Sequence, residues 1–263
     1  MFLLIVATAF AVFFMAPIRT NIVFMGIDYV PEGSYVARSD TIMLASIVPL
    51  KPHVGLLSIP RDLWVVIPDI GENRINTAHF FAEANSAGSG PIKLMETVRA
   101  NFGVEMDYYV RIKFEGVREI VNAMGGVDIE LTEPMAGYPA GVHHLTGNKA
   151  LAFARHRLGA DDFFRMEQGQ ILLLGILKQS LKPQNWIHLP RIVFTTLRAI
   201  DTDLPWWQWL RLGLAILRAG PEGIGHTIIG REMVASYTTD QGANVLLPDW
   251  QKINEIVKIT FGN

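Results

Sequence analysis

Three uninterrupted apolar runs of strand length constrain this chain more than any other feature. Residues 21–27 read NIVFMGI, 41–48 read TIMLASIV and 54–59 read VGLLSI. None alternates apolar with polar, so none has a side to turn towards water. Strands apolar on both sides need a sheet covered on both faces. The expected fold is therefore α/β, a mixed central β-sheet between helices in a three-layer α/β/α arrangement.

The breaks between the runs matter as much as the runs. The first ends at Asp28, and residues 29–39 hold Pro31, Gly33 and Ser34, a loop composition. The second starts beside Asp40. Pro49-Leu50-Lys51-Pro52 then separates it from the third by a short link. If that link makes the two an antiparallel hairpin, the return puts the end of the third run, Arg61 and Asp62, next to the start of the second. Asp28, Asp40, Arg61 and Asp62 are thus expected at one edge of the sheet.

Downstream, residues 77–83 and 91–101 read as helices, the second opening on a proline that a first turn tolerates. Residues 108–112 read as a strand, and 114–124 as a helix stopped by Gly125-Gly126 before a strand at 127–131. Residues 132–144 read as a Pro/Gly loop and 146–153 as a short helix. The helix at 166–181 has a centre, ILLLGIL, that is apolar all round, so it is buried or lines an apolar groove. Residues 184–234 read as helical and rich in tryptophan, and the last helix runs from 248 to about 261. Half of the 263 residues are hydrophobic and 18% are charged, which excludes a disordered chain.

At the front, residues 2–18 (FLLIVATAFAVFFMAPI) carry no charge and Arg19 closes the run. As a helix this run would span roughly 27 Å at about 1.5 Å per residue, near the thickness of bilayer hydrocarbon. The division expected is a membrane anchor or signal-anchor over 1–19 and a folded domain over 20–263. The chain has no cysteine, which removes disulfides, thiolate metal sites and a cysteine nucleophile. A formal net charge of −2 gives no general attraction to nucleic acid, so anion binding must come from a local concentration of arginine.

That concentration is at 154–168, ARHRLGADDFFRMEQ. Arg155 and Arg157, two apart, point to one side if the segment is extended. Arg165 opens the following helix, where backbone N–H groups also favour anions. Guanidinium groups gathered at one spot repel one another unless a polyanion joins them, and their planar forks match phosphate oxygens in pairs. A di- or polyphosphate is the expected guest. Asp28 and Asp40, near it, are candidate ligands for Mg²⁺, which takes one or two carboxylates and completes its shell with water and phosphate oxygens. Asp62 and Asp162 are candidates for orienting the arginines. His143 and His144 lack the spacing of a zinc site and are expected at the surface, His156 in packing, and Trp206, Trp207 and Trp209 in helix packing rather than at a membrane.

Six blocks in order resemble the LytR–CpsA–Psr family of bacterial cell-envelope proteins. They are MGID ending at Asp28, RSDTIM at 38–43, SIPRDL at 58–63, Ile75-Asn76-x-Ala78, a block from Glu115-Gly116-Val117 to MGGVDI at 124–129, and LTG at 145–147 through Ala150-Leu151, Phe153, Arg155 and Arg157 to Asp162-Phe163-x-Arg165. The resemblance implies a membrane-attached phosphotransferase on the extracytoplasmic face. Its partners would be a polyprenyl-diphosphate-linked glycopolymer and a peptidoglycan acceptor, joined through a phosphodiester. It also implies Mg²⁺ held by Asp28 and Asp40, a diphosphate grip of Arg61, Arg155, Arg157 and Arg165, and an apolar pocket for the prenyl chain. Arg61, Asp62 and Asp162 are the catalytic candidates, one of the two aspartates serving as base. The sequence departs from the family pattern in having Phe164 for a glycine and Gln168-Gly169 for Arg-Gln, which implies one guanidinium fewer. Hydrolysis of the lipid diphosphate and non-catalytic binding of a polyprenyl phosphate are the competing readings.

Overall fold

The computed structural model describes residues 19–28, 33–49, 53–156 and 162–262. The three apolar runs form β1 (Thr20–Ile27), β2 (Ser39–Val48) and β3 (His53–Ile59). A ribbon of β4 (Trp64–Ile67) and β5 (Gly71–Arg74) leads into α1 (Asn76–Asn85) and α2 (Gly90–Phe102). Then come β6 (Tyr108–Lys113), α3 (Phe114–Ala123), a second ribbon of β7 (Val127–Leu131) and β8 (Gly141–Leu145), α4 (Gly147–Arg155) and α5 (Asp162–Leu181). The remainder holds α6 (Leu189–Ala199), β9 (Ile200–Thr202), α7 (Trp206–Ala219), β10 (Ile224–Ile228), a third ribbon of β11 (Val234–Thr238) and β12 (Asn244–Pro248), and α8 (Trp250–Phe261).

Six strands make the central sheet in the order β10-β3-β2-β1-β6-β9. β1, β2 and β3 pair antiparallel, with Thr20 opposite Ile47 and Ile42 opposite Ile59, while β6 lies parallel to β1 and β10 parallel to β3. The mixed sheet follows from connection length: the short 49–52 link forces a hairpin, whereas the long path through α1 and α2 permits a parallel return.

Successive residues of β1 serve opposite faces. Val23 and Met25 join Leu44, Leu57 and Ile59 in a core closed by Leu94 and Val98 of α2 and Ile253 and Val257 of α8. Ile22 joins Ala45, Ile47, Val54 and Leu56 in a second core, closed by Leu212 and Ala215 of α7 and by Leu173, Leu174 and Leu177 of α5. Each such side chain contributes about 1.5–3 kcal/mol on burial, so losing either helical layer would expose a whole strand face. The other flank of α5 faces a third cluster, in which Leu172, Ile171 and Ile176 meet Val127, Ile129 and Phe153. Wedged between two clusters, α5 has a use for apolar side chains all round.

The structure departs from the sequence reading where strands are short or polar. Residues 141–144, expected as the end of a loop, form β8 together with Leu145, which is buried while Val142 is 70% exposed. The stretch 184–234 contains β9 and β10 at the two edges of the sheet as well as helices; IDT and IGHTI are too short and polar to announce themselves. Arg155 ends a helix instead of lying on an extended segment, and α5 runs over Asp162–Leu181, already helical one turn before the residue expected. Trp209 packs against the second core, but Trp206 and Trp207 are 73% and 45% exposed, contrary to the packing expected of them. The anchor reading concerns residues 1–18, outside the described residues. Among the described residues no helix is long and apolar enough to cross a membrane.

Candidate functional site

The site lies at the sheet edge to which the hairpin returns. β1 and β2 pair Gly26 with Thr41 and then Ile27 with Ser39, so Asp40 is an extra residue with no opposite number, a β-bulge. Across the hairpin, the register that places Ile42 opposite Ile59 carries on to bring Asp40 to Arg61, whose Nη1 donates to Asp40 Oδ1 at 2.5 Å. Arg165, in the first turn of α5, brings Nη2 to 3.7 Å from the same oxygen. One carboxylate thus gathers two guanidinium groups from segments far apart in the sequence.

A second carboxylate–arginine unit sits one strand over. Asp28 ends β1, and its Oδ1 accepts from Arg155 Nε at 2.9 Å and lies 2.8 Å from Arg155 Nη2. Arg155 Nη2 also donates to Glu115 Oε1 at 2.7 Å. The Phe114 ring backs this unit, with the guanidinium carbon 5.8 Å from its centroid. A Cβ on Gly26 would stand 3.0 Å from that ring, so the glycine of MGID leaves room for the Phe114 side chain that supports Arg155. Burial pushes the Glu115 carboxyl up, but the hydrogen bond and charge of Arg155 outweigh it and hold it below its ordinary value. Arg155 is held above its own ordinary value, burial opposing and the ion pairs with Glu115 and Asp28 prevailing.

Between these units opens a cavity of about 560 Å³, lined by Asp28, Ala37, Arg38, Asp40, Arg61, Asp62, Arg74, Asn76 and Asn244. Asp62 is set between two arginines, with Oδ2 3.7 Å from Arg61 Nε and Oδ1 3.4 Å from Arg74 Nε. Its main chain is fixed as well, the carbonyl accepting from Leu246 N at 3.0 Å, which ties the β12 segment to this wall. Asn76 is 2% exposed, and among the described residues nothing hydrogen-bonds its Oδ1. A buried amide oxygen without a protein partner on a cavity wall is costly unless water or a ligand meets it. Two carboxylates and this amide are hard oxygen donors of the kind a small divalent cation takes.

A buried charge network holds the neighbouring wall. His79 Nδ1 lies 2.8 Å from the Ala37 carbonyl and its Nε2 3.1 Å from Arg111 Nη1. A carbonyl only accepts and a guanidinium only donates, so Nδ1 carries the proton and the ring is neutral. Burial accordingly drives the His79 pKa below 6.5, with Arg111 adding to the shift. Arg111 is satisfied further by Glu83 Oε2 at 3.0 Å and Asp201 Oδ2 at 2.7 Å, and by the Tyr35 ring 3.8 Å from its guanidinium carbon. Burial acts to raise Glu83, but N–H donation from Gly88 and Gly90 together with Arg111 brings it below its ordinary 4.5. The result is a clamp on the 35–37 segment, which presents Arg38 to the cavity.

Of the residues singled out in sequence, Asp28, Asp40, Arg61 and Asp62 line the cavity, and Arg155 and Arg165 reach it through Asp28 and Asp40. Arg157 and the Asp162 side chain lie outside the described residues. Arg38 and Asn76 fall within motifs that resemble the family, but neither was assigned a role. Arg74 and Asn244 carried no sequence signal, since only the fold brings β5 and β12 to this wall; Arg74 Nη2 donates to the Asn244 carbonyl at 2.7 Å. His144 is exposed and bonds Asp128 at 2.7 Å, and His143 bonds the Pro139 carbonyl, which agrees with the surface role expected for the pair.

Comparison with known proteins agrees with this architecture. The model of the LytR_cpsA_psr family matches residues 17–261. The polyisoprenyl-teichoic acid–peptidoglycan teichoic acid transferase TagU of Enterococcus faecalis is 29% identical over 202 residues, which cover 74% of this chain and 64% of that protein. The chain therefore spans less than two thirds of that relative's length. Among solved structures, that of B. subtilis TagV matches with a TM-score of 0.73 at 22% identity, covering 94% of this chain and 99% of that one. A TagT structure described as bound to LI-WTA matches with a TM-score of 0.72 at 20% identity, covering 93% and 91%. These likenesses show the fold.

Proposed function

This chain belongs to the LytR_cpsA_psr family, and from that premise we propose that it is a phosphotransferase. In this reading it moves a glycopolymer from a polyprenyl-diphosphate carrier to a sugar hydroxyl of peptidoglycan. The observation that carries the reading is the cavity in which Asp28 and Asp40 converge with Arg38, Arg61 and Arg74. Such a wall suits a diphosphate accompanied by a divalent cation, and Arg155 and Arg165 stand behind the two carboxylates. The relatives named as teichoic acid transferases support the substrate class.

The acceptor hydroxyl attacks the phosphorus nearest the glycan, in line with the bridging oxygen. The new P–O bond forms as the bond to the carrier's other phosphate breaks, and polyprenyl phosphate leaves with the electron pair. Arg61 and Arg165 meet the charge that builds on the transferred group, the largest catalytic contribution in such reactions. A carboxylate takes the hydroxyl proton, Asp62 of the cavity wall in this reading and Asp162 as the alternative. Mg²⁺ would be held by Asp28 and Asp40, with Asn76 Oδ1 as a neutral third donor, and would supply charge neutralisation between the phosphates. Arg165 stands in the first turn of α5, so a diphosphate there leaves the prenyl chain to follow the helix past half-buried Leu173, Leu174 and Leu177. Residues 1–19 anchor the chain in the cell membrane, and the domain faces away from the cytoplasm.

The test is transfer from a lipid-diphosphate donor to peptidoglycan by the full chain and by Asp40→Ala and Arg165→Ala. Wild-type transfer by either variant would overturn the site. Omitting the acceptor separates the alternatives: transfer stops, whereas a hydrolase would continue to release polyprenyl phosphate.

A further inference from the structure

Helix α7 is amphipathic in the wrong sense for water. Its buried side includes Gln208 and Arg211, the latter 3% exposed, beside Leu212 and Ala215. Its outward side carries Trp206, Trp207, Leu210, Leu214 and Leu217, all between 42% and 73% exposed. The spacing from 206 through 210 and 214 to 217 is one helical stripe. The preceding helix shows the same habit, with Val193, Phe194 and Leu197 all half exposed or more. Lone exposed leucines need no explanation, but a continuous stripe headed by two tryptophans does.

Two further observations identify what covers it. The first is position. Leu212 and Ala215 pack on Ile22, Ala45, Ile47 and Val54, and Gln208 reaches Tyr108, which pairs with Ile22. That is the end of the sheet where β1 begins, directly after the uncharged run 2–18 and Arg19, and opposite the end that holds Asp28 and Asp40. The second is charge. From Lys178 to Arg218 the sequence holds six lysines and arginines against two acids, in a chain whose formal net charge is −2; of the six, Arg211 is buried and Lys182 pairs with Asp128. Both acids have partners, Asp201 pairing with Arg111 and exposed Asp203 accepting from the main-chain N–H of Tyr109. Arg191, Arg198 and Arg218 remain exposed.

We propose that α7 is a membrane-docking helix. Its Trp/Leu stripe sinks into the boundary between headgroups and acyl chains of an anionic bilayer, and Arg218 snorkels to the phosphates. The domain then lies against the bilayer by its β1-entry end, and the cavity opens at the far end of the sheet.

The absence of cysteine makes the test direct. A single Leu214→Cys in the full chain is labelled with bimane and reconstituted in phosphatidylcholine/phosphatidylglycerol vesicles containing doxyl-phosphatidylcholine. Glu255→Cys, exposed on α8 over the opposite sheet face, is the control. The label at 214 should be quenched by the doxyl lipid at least about twofold more than the label at 255, and less once phosphatidylglycerol is omitted. Equal quenching at both positions overturns the proposal. So does a label at 214 shielded from aqueous iodide yet untouched by doxyl lipid, since a second copy or the chain's own apolar run would then cover α7. Leu210→Cys repeats the measurement should the first variant fold poorly.

Discussion

Asp40 and Arg61 stand opposite each other across the β2–β3 hairpin, two residues beyond the Ile42–Ile59 pair, and close a 2.5 Å ion pair at the cavity wall. Both side chains are partly exposed, so the pair contributes only about 0–1 kcal/mol to folding. Asp40→Asn should therefore lower Tm by no more than about 4 °C. It should cut transfer at least about 100-fold, because the lost carboxylate would hold Mg²⁺ and positions Arg61 and Arg165 for the reacting phosphate. Arg61→Lys should also be slow, since an ammonium cannot present a planar fork. Thermal unfolding and transfer assays on the same preparations separate the two effects.

Chelation should stop the reaction. EDTA is expected to abolish transfer and Mg²⁺ to restore it. Asn76→Leu, which removes the buried amide oxygen, should raise the Mg²⁺ concentration giving half-maximal rate by about tenfold, equivalent to roughly 1.4 kcal/mol. A rate independent of Mg²⁺ would dismiss the metal assignment, and an unchanged Mg²⁺ dependence in the variant would dismiss Asn76.

The His79 clamp gives folding a pH dependence of defined sign. With its folded pKa below 6.5, the unfolded chain takes up the proton first, so stability is full above about 6.5 and falls as pH drops below it. Glu83 is depressed below 4.5, so its contribution is present above that value and is lost as pH falls further. Urea midpoints from pH 8 to 4 should show a first decline below 6.5 and a steeper one below 4.5. His79→Asn keeps a donor for the Ala37 carbonyl and should flatten the first decline.

Arg111→Met should be among the most destabilising changes in the chain. It strands Glu83, 5% exposed, without its cation, and breaking one side of such a buried pair costs about 3–5 kcal/mol. A Tm lower by on the order of 10 °C is expected, and adding Glu83→Gln to the variant should recover part of it.

Gly147→Ala tests the support of Arg155. A Cβ there would stand 2.3 Å from the Arg118 carbonyl, against backbone that cannot swing aside, so α4 must shift from α3. Overpacking of this kind costs about 1–3 kcal/mol. The shift displaces Arg155, at the far end of α4, from Asp28. Transfer should fall more than the loss of stability accounts for, as measured at a temperature where the variant is fully folded.

The central strands were legible because apolar runs with abrupt polar ends have few alternative readings. The same logic located half of the site: a hairpin whose turn is too short to cross over fixes where Asp40 and Arg61 must meet. β8, β9 and β10 were illegible for the opposite reason. Their side chains are short in number or half exposed, and the larger elements they pair with determine them. Arg74 and Asn244 escaped because their place in the cavity is set by ribbons β4–β5 and β11–β12, whose contacts are tertiary. The tryptophans misled because exposure cannot be read from residue type: Trp209 and Trp207 lie two apart on one helix and fall on different sides of it.

The single unpaired residue at the β1–β2 edge has a consequence for how this site can change over time. Deleting Asp40 would restore an unbroken ladder without removing a residue from either hydrophobic layer. The carboxylate that gathers Arg61 and Arg165 would go with it. The residue that breaks the ladder is thus the one that assembles the anion-binding wall, and a shorter edge would keep the strand pairing while losing the site.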